Sequence, residues 1–359
     1  MANVMKAHDS ISLQQVADLI WDVGSKVTVL AQGHIGIGKS SLLGILGARD
    51  PDAHLCYLDC TTLDLGDLSG PKFKTIDGND VLAFVPNENL GFHTGKRVIL
   101  MIDELGKASK AVKNALMRVM LERKLGTYSL SEDSIVFATT NLGLEGVGDM
   151  FQAHERNRIC VTKIRKPTYM EWIENFALPN RLHPVVIGTT MEYPSMFESF
   201  ETVEDPNSNP YIFHPKQVRA SFVTPRSMHK ASDILHATES YSDDIRIHAL
   251  MGVIGEAAAT VMMTVCRLND DLPVWERVIA DPKNTPVPKS GVSCCMLVAK
   301  AAMRVERESF DAWLEYAARL PKETQALFAR TIMRSDKKSL AATHKTFVSW
   351  ASENMYLFA

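Results

Sequence analysis

The chain has 359 residues, which is long for one hydrophobic core and predicts two domains, or one domain with a large appendage. Its hydrophobic content of 46% and charged content of 23% are those of an ordinary soluble globular protein, not of a disordered or membrane-embedded one. The formal net charge of −3 does not indicate a nucleic-acid partner, although basic loops lining a pore would not show in that sum.

The sequence shows no targeting segment, membrane span or metal-binding cysteine pattern. A basic region followed by an apolar stretch and a cleavage site is missing from its start. The most lipid-like segment, 249–266, contains Gly252, Gly255 and Glu256, so we predict a buried helix there and not a transmembrane one. The six cysteines lack zinc-ligand spacing and are predicted to be buried, reduced thiols. These features predict a cytoplasmic protein that does not bind membranes.

A glycine-rich loop follows the first apolar run of the chain. Residues 26–31 predict a buried strand, and residues 33–41 read GHIGIGKSS, a G-x-x-x-x-G-K-S pattern at the start of a helix. Backbone N–H groups of such a loop surround a polyphosphate, with the helix N-terminus behind them. We expect Lys39 to reach the terminal phosphates and Ser40 to hold a Mg²⁺ ion. An ordinary glycine turn is the alternative. The predicted nucleotide-binding residues of the loop are Gly33, Gly36, Ile37, Gly38, Lys39, Ser40 and Ser41.

Short β-rich runs alternate with helical periodicity up to about residue 165. After the first run, four mostly apolar segments read as strands, as expected for a parallel sheet that is covered on both faces. They are residues 54–59, 97–102, 134–138 and 159–164. Apolar residues between 108 and 120 recur at the spacing of an amphipathic helix. The pattern predicts an α/β fold with a doubly wound sheet of five parallel strands.

Polar residues follow two of these strands. Asp103 and Glu104 come directly after the run 98–102, at the strand end where ligands bind in parallel sheets. We expect Asp103 to hold Mg²⁺ through water as the acidic partner of Ser40, and Glu104 to polarise an attacking water as general base. Asn141 ends the next strand, where its side chain can hydrogen-bond the γ-phosphate or the lytic water. Taken alone, Asn141 would more often be a turn residue.

The second half of the chain reads as helical. A helix is expected to open at Pro167 and to end at Pro179, and residues 201–216 are predicted to form a loop. A long apolar stripe at 250–265 is followed by a proline-rich linker at 281–291 and by helices from about residue 294 to the end.

The order of these motifs resembles that of the AAA+ ATPases of the MoxR-like branch. The motifs are GHIGIGKS, VILMIDEL, IVFATTN, HERNRI and FVTPRS, and the segments DLGDLSGP and KASKAVKNALMRVMLERKLGTYSL are also similar to the family. The resemblance is strong to about residue 235 and weaker beyond it. It implies an AAA+ nucleotide-binding core at 1–165, a helical lid at 166–270 and a C-terminal helical extension at 271–359.

The resemblance also implies roles for three arginines. Arg226, in the sequence Thr-Pro-Arg, aligns with the sensor 2 arginine, which reaches from the lid to the nucleotide of its own subunit. Arg158 falls where the family carries an Asp-Arg-Phe arginine finger that serves the neighbouring subunit. This sequence departs from that motif, and Arg156 lies two residues earlier, so both remain candidates for the finger. Asn141 takes the sensor 1 position, with Leu142 where many relatives have proline.

The implied protein is a Mg²⁺-dependent ATPase that forms rings, expected to be hexamers, and remodels a partner protein in a chaperone-like way. Its partner would be a protein client or a von Willebrand A-type adaptor. Two alternatives remain open at this point: a nucleic-acid-stimulated motor or loader on the same core, and a slow nucleotide-dependent structural assembly. The phosphate loop reads only phosphates, so the choice between ATP and GTP is also open.

Overall fold

The computed structural model describes residues 10–142 and 157–355, which fall into two compact units, Met1–Lys166 and Pro167–Ala359. Five strands of the first unit form one parallel sheet in the order β2-β5-β8-β1-β9. The remaining strands form two antiparallel hairpins, β3–β4 and β6–β7. The strands are β1 (Val29–Gly33), β2 (His54–Asp59), β3 (Ser69–Ile76), β4 (Asn79–Pro86), β5 (Val98–Asp103), β6 (Lys124–Leu125), β7 (Tyr128–Ser129), β8 (Ile135–Asn141) and β9 (Cys160–Ile164).

Helices cover both faces of the sheet. The helices α1 (Leu13–Val23) and α2 (Leu42–Gly47) pack on one face, in a core that includes Met101 and Phe137. The helix α3 (Lys110–Glu122) packs on the other face, with Leu100 and Val136. Successive residues of β5 and β8 point to opposite faces and both faces are buried, which is why these strands are continuous apolar runs.

The structure confirms the predicted fold class, an α/β fold with five parallel strands followed by a helical region. The strands begin or end within three residues of the predicted runs. The hairpin β3–β4 was not predicted. Its turn residues Asp77 and Gly78 have φ values of 51° and 81°, and an Asp-Gly pair between two strands is a strong hairpin signal that was present in the sequence.

The second unit is built from helices around one hydrophobic core, which runs from Trp172 to Phe347 and so includes residues on both sides of position 270. Because this core continues across position 270, it does not mark a boundary between a lid and a C-terminal extension. The predicted domain limits at 165 and 270 stay predictions. The α-helices are Tyr169–Trp172, Pro184–Glu192, Pro225–Ala237, Asp243–Ile254, Glu256–Asp270, Trp275–Ala280, Gly291–Arg304, Phe310–Ala317, Lys322–Arg334, Lys338–Thr343 and Lys345–Glu353, with a π-helical turn at Ile173–Ala177.

The apolar stripe 250–265 is not one helix, as predicted for this segment, but two. The first helix, Asp243–Ile254, ends at Gly255, whose φ of 84° and ψ of 161° are incompatible with a helical backbone. A second helix, Glu256–Asp270, begins at the next residue. A side chain at Gly255 would place its Cβ 2.7 Å from the carbonyl oxygen of Ser221. The apolar spacing continues across the break, so periodicity alone did not reveal it.

We expect Gly255→Ala to destabilise the second unit strongly. An alanine at this φ is strained, at about 1–3 kcal/mol for such backbone conformations, and its Cβ would also collide with the Ser221 carbonyl oxygen. Thermal unfolding followed by circular dichroism would measure the effect. Gly252→Ala is the matched control, because a Cβ there meets nothing within 4 Å. Equal melting temperatures for the two variants would contradict this account of the break.

Within the described ranges no helix combines the length and the apolarity that a bilayer crossing requires. The six cysteines are free thiols, five of them buried, whereas Cys160 is half-buried. Burial raises the pKa of Cys56 to about 11 and that of Cys60 to about 12, so both stay protonated at neutral pH.

Candidate active site

The loop between β1 and α2 brings its backbone close to other parts of the first unit. Gly36 and Gly38 have φ values of 72° and 102°, which favour glycine over any other residue. A Cβ at Gly33 would lie 2.5 Å from the Ile37 side chain and 3.2 Å from Ile164, so the close approach requires glycine there too. Ile37 is buried in the core beneath the loop and anchors it.

Lys39 lies inside this loop, with its side chain almost completely buried. Its Nζ donates hydrogen bonds to the carbonyl oxygens of Gly33 and His34, both at 2.9 Å, and to Asn141 Oδ1 at 2.6 Å. The ammonium group is therefore held at the centre of the loop, where the sequence predicted the phosphate-binding cation. His34 contributes its backbone carbonyl oxygen to these contacts.

Asn141 links Lys39 to Glu104. Its amide nitrogen donates to both carboxylate oxygens of Glu104 at 3.0 Å, while its amide oxygen accepts from Lys39. This is a consequence of the sheet order, because β8 lies between β1 and β5 and Asn141 pairs in register with Gly33 at the end of β1. Three side chains predicted from separate motifs thus form one continuous hydrogen-bonded series.

Glu104 has a backbone conformation that non-glycine residues seldom adopt. Its φ of 52° and ψ of 36° lie in the left-handed region, at the turn directly after β5. Such conformations cost about 1–3 kcal/mol and concentrate at functional sites. Lys107 Nζ lies 3.4 Å from Glu104 Oε2, so the carboxylate faces one amide and one ammonium group. With this backbone conformation, the Glu104 carboxylate contacts Asn141, which in turn contacts Lys39 of the loop.

Asp103 accepts hydrogen bonds on both carboxylate oxygens. Ser40 Oγ donates to Oδ2 at 3.0 Å and the hydroxyl of Tyr57 donates to the same oxygen at 2.9 Å. Oδ1 accepts from the Thr139 hydroxyl and from the Glu104 backbone N–H. Asp103 is only 4% exposed, and these four donors satisfy the hydrogen bonding of its carboxylate in a buried position.

The Ser40–Asp103 pair fits a magnesium ion. The Ser40 O–H donates a hydrogen bond to Asp103, which leaves the hydroxyl lone pairs for a cation, and the second group is a carboxylate. Hard oxygen donors of this kind, few in number and completed by water and phosphate, are what Mg²⁺ takes in nucleotide sites. The predicted metal-binding pair is therefore brought together with suitable chemistry.

Tyr57 is one of three members of this site that the sequence did not predict, with Thr139 and Lys107. Partial burial raises the pKa of the Tyr57 hydroxyl, and the hydrogen bond to Asp103 and the nearby carboxylates raise it further, so the group stays a donor. On the sequence Tyr57 is one residue of the apolar-looking strand HLCYLD, with nothing to mark it as functional.

Within the first unit, Arg158 is the predicted arginine whose position relative to this cluster the sheet register defines. Arg158 is exposed in the turn before β9, at the end of the sheet opposite the loop, because Gly33 pairs with Ile164 at the far end of that strand. From Cys160 to Ile164 the strand spans roughly 13 Å, so the backbone at Arg158 is at least a strand length from the part of β9 beside the loop. Arg156 lies outside the described residues.

Arg226 is exposed at the second position of the helix Pro225–Ala237 in the second unit. Thr224 caps that helix, accepting a hydrogen bond from the Ser227 backbone N–H, and Pro225 occupies the first turn, as the sequence indicated. The assignment of Arg226 to the nucleotide site stays a prediction.

Comparisons with known proteins add partial relatives. No family model matches the chain. It is 31% identical over 172 residues to the Nif-specific regulatory protein of Rhizobium etli, and 29% identical over 163 residues to the anaerobic nitric oxide reductase transcription regulator NorR of Citrobacter koseri. These alignments cover 45% and 43% of this chain but only 29% and 32% of the relatives, so the chain spans about a third of their length.

Among solved structures, a proposed ATPase of Cytophaga hutchinsonii matches with 14% identity and a TM-score of 0.32, covering 72% of this chain and 90% of that one. NtrX of Brucella abortus in complex with ADP matches with 15% identity and a TM-score of 0.34, covering 93% and 68%. With TM-scores this low, the fold assignment depends on the features of this chain. The parallel sheet, the phosphate loop, the acidic strand end and the partial relatives together support an AAA+ ATPase.

Proposed function

We propose that the chain is a cytoplasmic, Mg²⁺-dependent ATPase of the AAA+ class, of the MoxR-like type, that assembles into rings and remodels a partner protein. The observation that carries the proposal is the series Lys39–Asn141–Glu104 beside the Ser40–Asp103 pair, at the carboxyl ends of three adjacent strands. It combines a phosphate-binding cation, a carboxylate base and a metal-binding pair in one place. The turn Lys39–Ser41 and the short helix α2 follow the loop directly.

In the proposed ATP hydrolysis, phosphate binding, metal binding and base catalysis are carried out by different residues of this cluster. Lys39 and the loop N–H groups bind the phosphates, and Ser40 and Asp103 would hold the magnesium ion, which offsets charge on the phosphate oxygens when bound. Glu104 accepts a proton from water while the water oxygen forms a bond to the γ-phosphorus. The bond from that phosphorus to the bridging oxygen breaks, and its electron pair leaves with ADP. Asn141 orients Glu104 and is within reach of the same phosphate.

Ring assembly is supported by the position of Arg158. It is exposed at the end of the sheet opposite the phosphate loop of its own chain, as expected for a residue that serves a neighbouring subunit. In this proposal the second, helical unit carries Arg226 toward the nucleotide, and its movement on hydrolysis would be transmitted to a protein client or a von Willebrand A-type adaptor. Hexamers are the ring size we expect.

We predict that Arg158→Ala binds ATP almost normally and hydrolyses it poorly, since arginine fingers contribute about 10³–10⁵ in rate. Arg118→Ala is the control, because Arg118 is exposed on α3, where it pairs with Glu122 of the same helix. Mixing Arg158→Ala with Lys39→Ala subunits should restore some activity in verified mixed assemblies. If Arg156→Ala complements instead, Arg156 is the finger, and a wild-type rate for Arg158→Ala would refute the assignment.

A second candidate function is a nucleic-acid-linked regulator or motor. It is favoured by the two partial relatives, which are named as a regulatory protein and a transcription regulator. Measuring ATP hydrolysis with and without double- and single-stranded DNA, at several salt concentrations, separates the two candidates. Protein remodelling predicts no DNA stimulation, together with recovery of the same client in pull-downs with ATP-loaded Glu104→Gln. Stimulation that disappears as salt rises would favour the second candidate.

A further inference from the structure

Tyr57 reaches the candidate metal site from the outer edge of the sheet. It lies on β2, the edge strand next to β5, two residues before the strand ends. Leu55 shares its face of the strand and packs against Gly47, the last residue of α2, so Tyr57 lies on the side of the sheet that carries the phosphate-loop helix. Its side chain is 47% exposed, and its hydroxyl points inward to Asp103.

The hydroxyl of Tyr57 completes the hydrogen bonding of Asp103. A carboxylate accepts at about four lone-pair positions. Thr139 and the Glu104 N–H occupy Oδ1, and Ser40 and Tyr57 occupy Oδ2. The other three donors come from the phosphate loop (Ser40), from β8 (Thr139) and from the turn after β5 (Glu104). Tyr57 alone comes from the edge strand, and it shares its oxygen with the Ser40 hydroxyl.

We infer that Tyr57 is a positioning residue for the metal half of the nucleotide site, a role that rests on the proposed function. Through its hydrogen bond to Oδ2, it fixes the carboxylate in the orientation in which the Ser40 O–H donates to Asp103 and the Ser40 lone pairs face the cation. Its hydroxyl bonds to the carboxylate that partners Ser40, whereas Lys39 bonds to Gly33, His34 and Asn141, so we expect Tyr57 to act on the divalent ion and not on the phosphates as such. A hydrogen bond to a charged group is among the stronger ones, which makes the effect measurable.

The test separates nucleotide binding from metal binding with Tyr57→Phe in the full chain. The dissociation constant of ADP is measured by calorimetry in excess EDTA, and the affinity of Mn²⁺ for the protein–ADP complex is measured from the electron paramagnetic resonance signal of free Mn²⁺. We expect metal-free ADP affinity within twofold of wild type and Mn²⁺ affinity about tenfold weaker, which corresponds to about 1.4 kcal/mol. Tyr128→Phe is the matched control, because it removes a hydroxyl on β7 that accepts a hydrogen bond from Lys74 of β3 at 2.9 Å.

Each other outcome is decisive. Unchanged Mn²⁺ affinity, or an equal loss of metal-free ADP binding, would overturn the role of Tyr57. A lower melting temperature with unchanged Mn²⁺ affinity would show that the hydroxyl only stabilises the fold. If the wild-type protein binds no ADP under either condition, the proposed function fails instead, and that result is distinct from a failure of Tyr57→Phe alone.

A second variant is used if Tyr57→Phe melts more than about 10 °C below wild type. Tyr57→Trp keeps an aromatic ring and an N–H donor, so we expect it to recover part of the Mn²⁺ affinity. No recovery of Mn²⁺ affinity in Tyr57→Trp would also count against the role.

Discussion

Lys39→Ala is expected to lower the affinity for Mg²⁺–ATP at least about a hundredfold. The Lys39 ammonium is the only side-chain cation that the described contacts place within the loop, where it bonds to the carbonyl oxygens of Gly33 and His34. In the nucleotide complex it would instead bond to phosphate oxygens, and two charge-assisted hydrogen bonds of about 1.5 kcal/mol each give a loss of this size. Titration with a fluorescent ATP analogue would measure it.

The control for this change is Lys110→Ala, because Lys110 is exposed at the start of α3. Wild-type affinity in the control and a hundredfold loss in Lys39→Ala would assign binding to the loop. An affinity within threefold of wild type in Lys39→Ala would show that the loop is not the phosphate site, and the whole site assignment would then fail.

Glu104→Gln should leave ATP binding within about threefold and lower turnover at least about a hundredfold, the lower end of the range for general acid–base catalysis. The glutamine amide keeps the shape of the side chain, and its oxygen still accepts from Asn141, which donates to both oxygens of the native carboxylate. It does not accept a proton from water. Phosphate release and nucleotide binding are measured on the same preparation.

Glu122→Gln is the matched control for this prediction, since Glu122 is exposed at the end of α3 and pairs with Arg118. Its binding and turnover are expected to equal those of the wild-type protein. An equal loss of binding and turnover in Glu104→Gln would contradict the separation of roles, and so would unchanged turnover.

Much of the first unit could be predicted from the sequence because its physical causes are local. A strand buried on both faces must be apolar throughout, so β5 and β8 were visible as runs, and polar residues at their ends were visible as interruptions. The phosphate loop was recognisable because Gly36 and Gly38 adopt positive φ values that few other residues tolerate.

Features that depend on tertiary arrangement were not predictable in this way. The bridge from Lys39 through Asn141 to Glu104 exists because β8 lies between β1 and β5, and strand order is not encoded in the spacing along the chain. Tyr57 acts on a carboxylate 46 positions away. The helix break at Gly255 was hidden because the apolar spacing is the same on both sides.

The most direct test of the central claim is phosphate release from ATP by the wild-type protein, measured with Mg²⁺ and with excess EDTA, beside Glu104→Gln under the same conditions. The site geometry predicts steady hydrolysis with Mg²⁺, its loss on chelation, and almost none in Glu104→Gln at saturating ATP. Hydrolysis that persists unchanged in Glu104→Gln, or a wild-type protein that binds Mg²⁺–ATP in assembled form and never releases phosphate, would contradict the assignment of this cluster as an ATPase site.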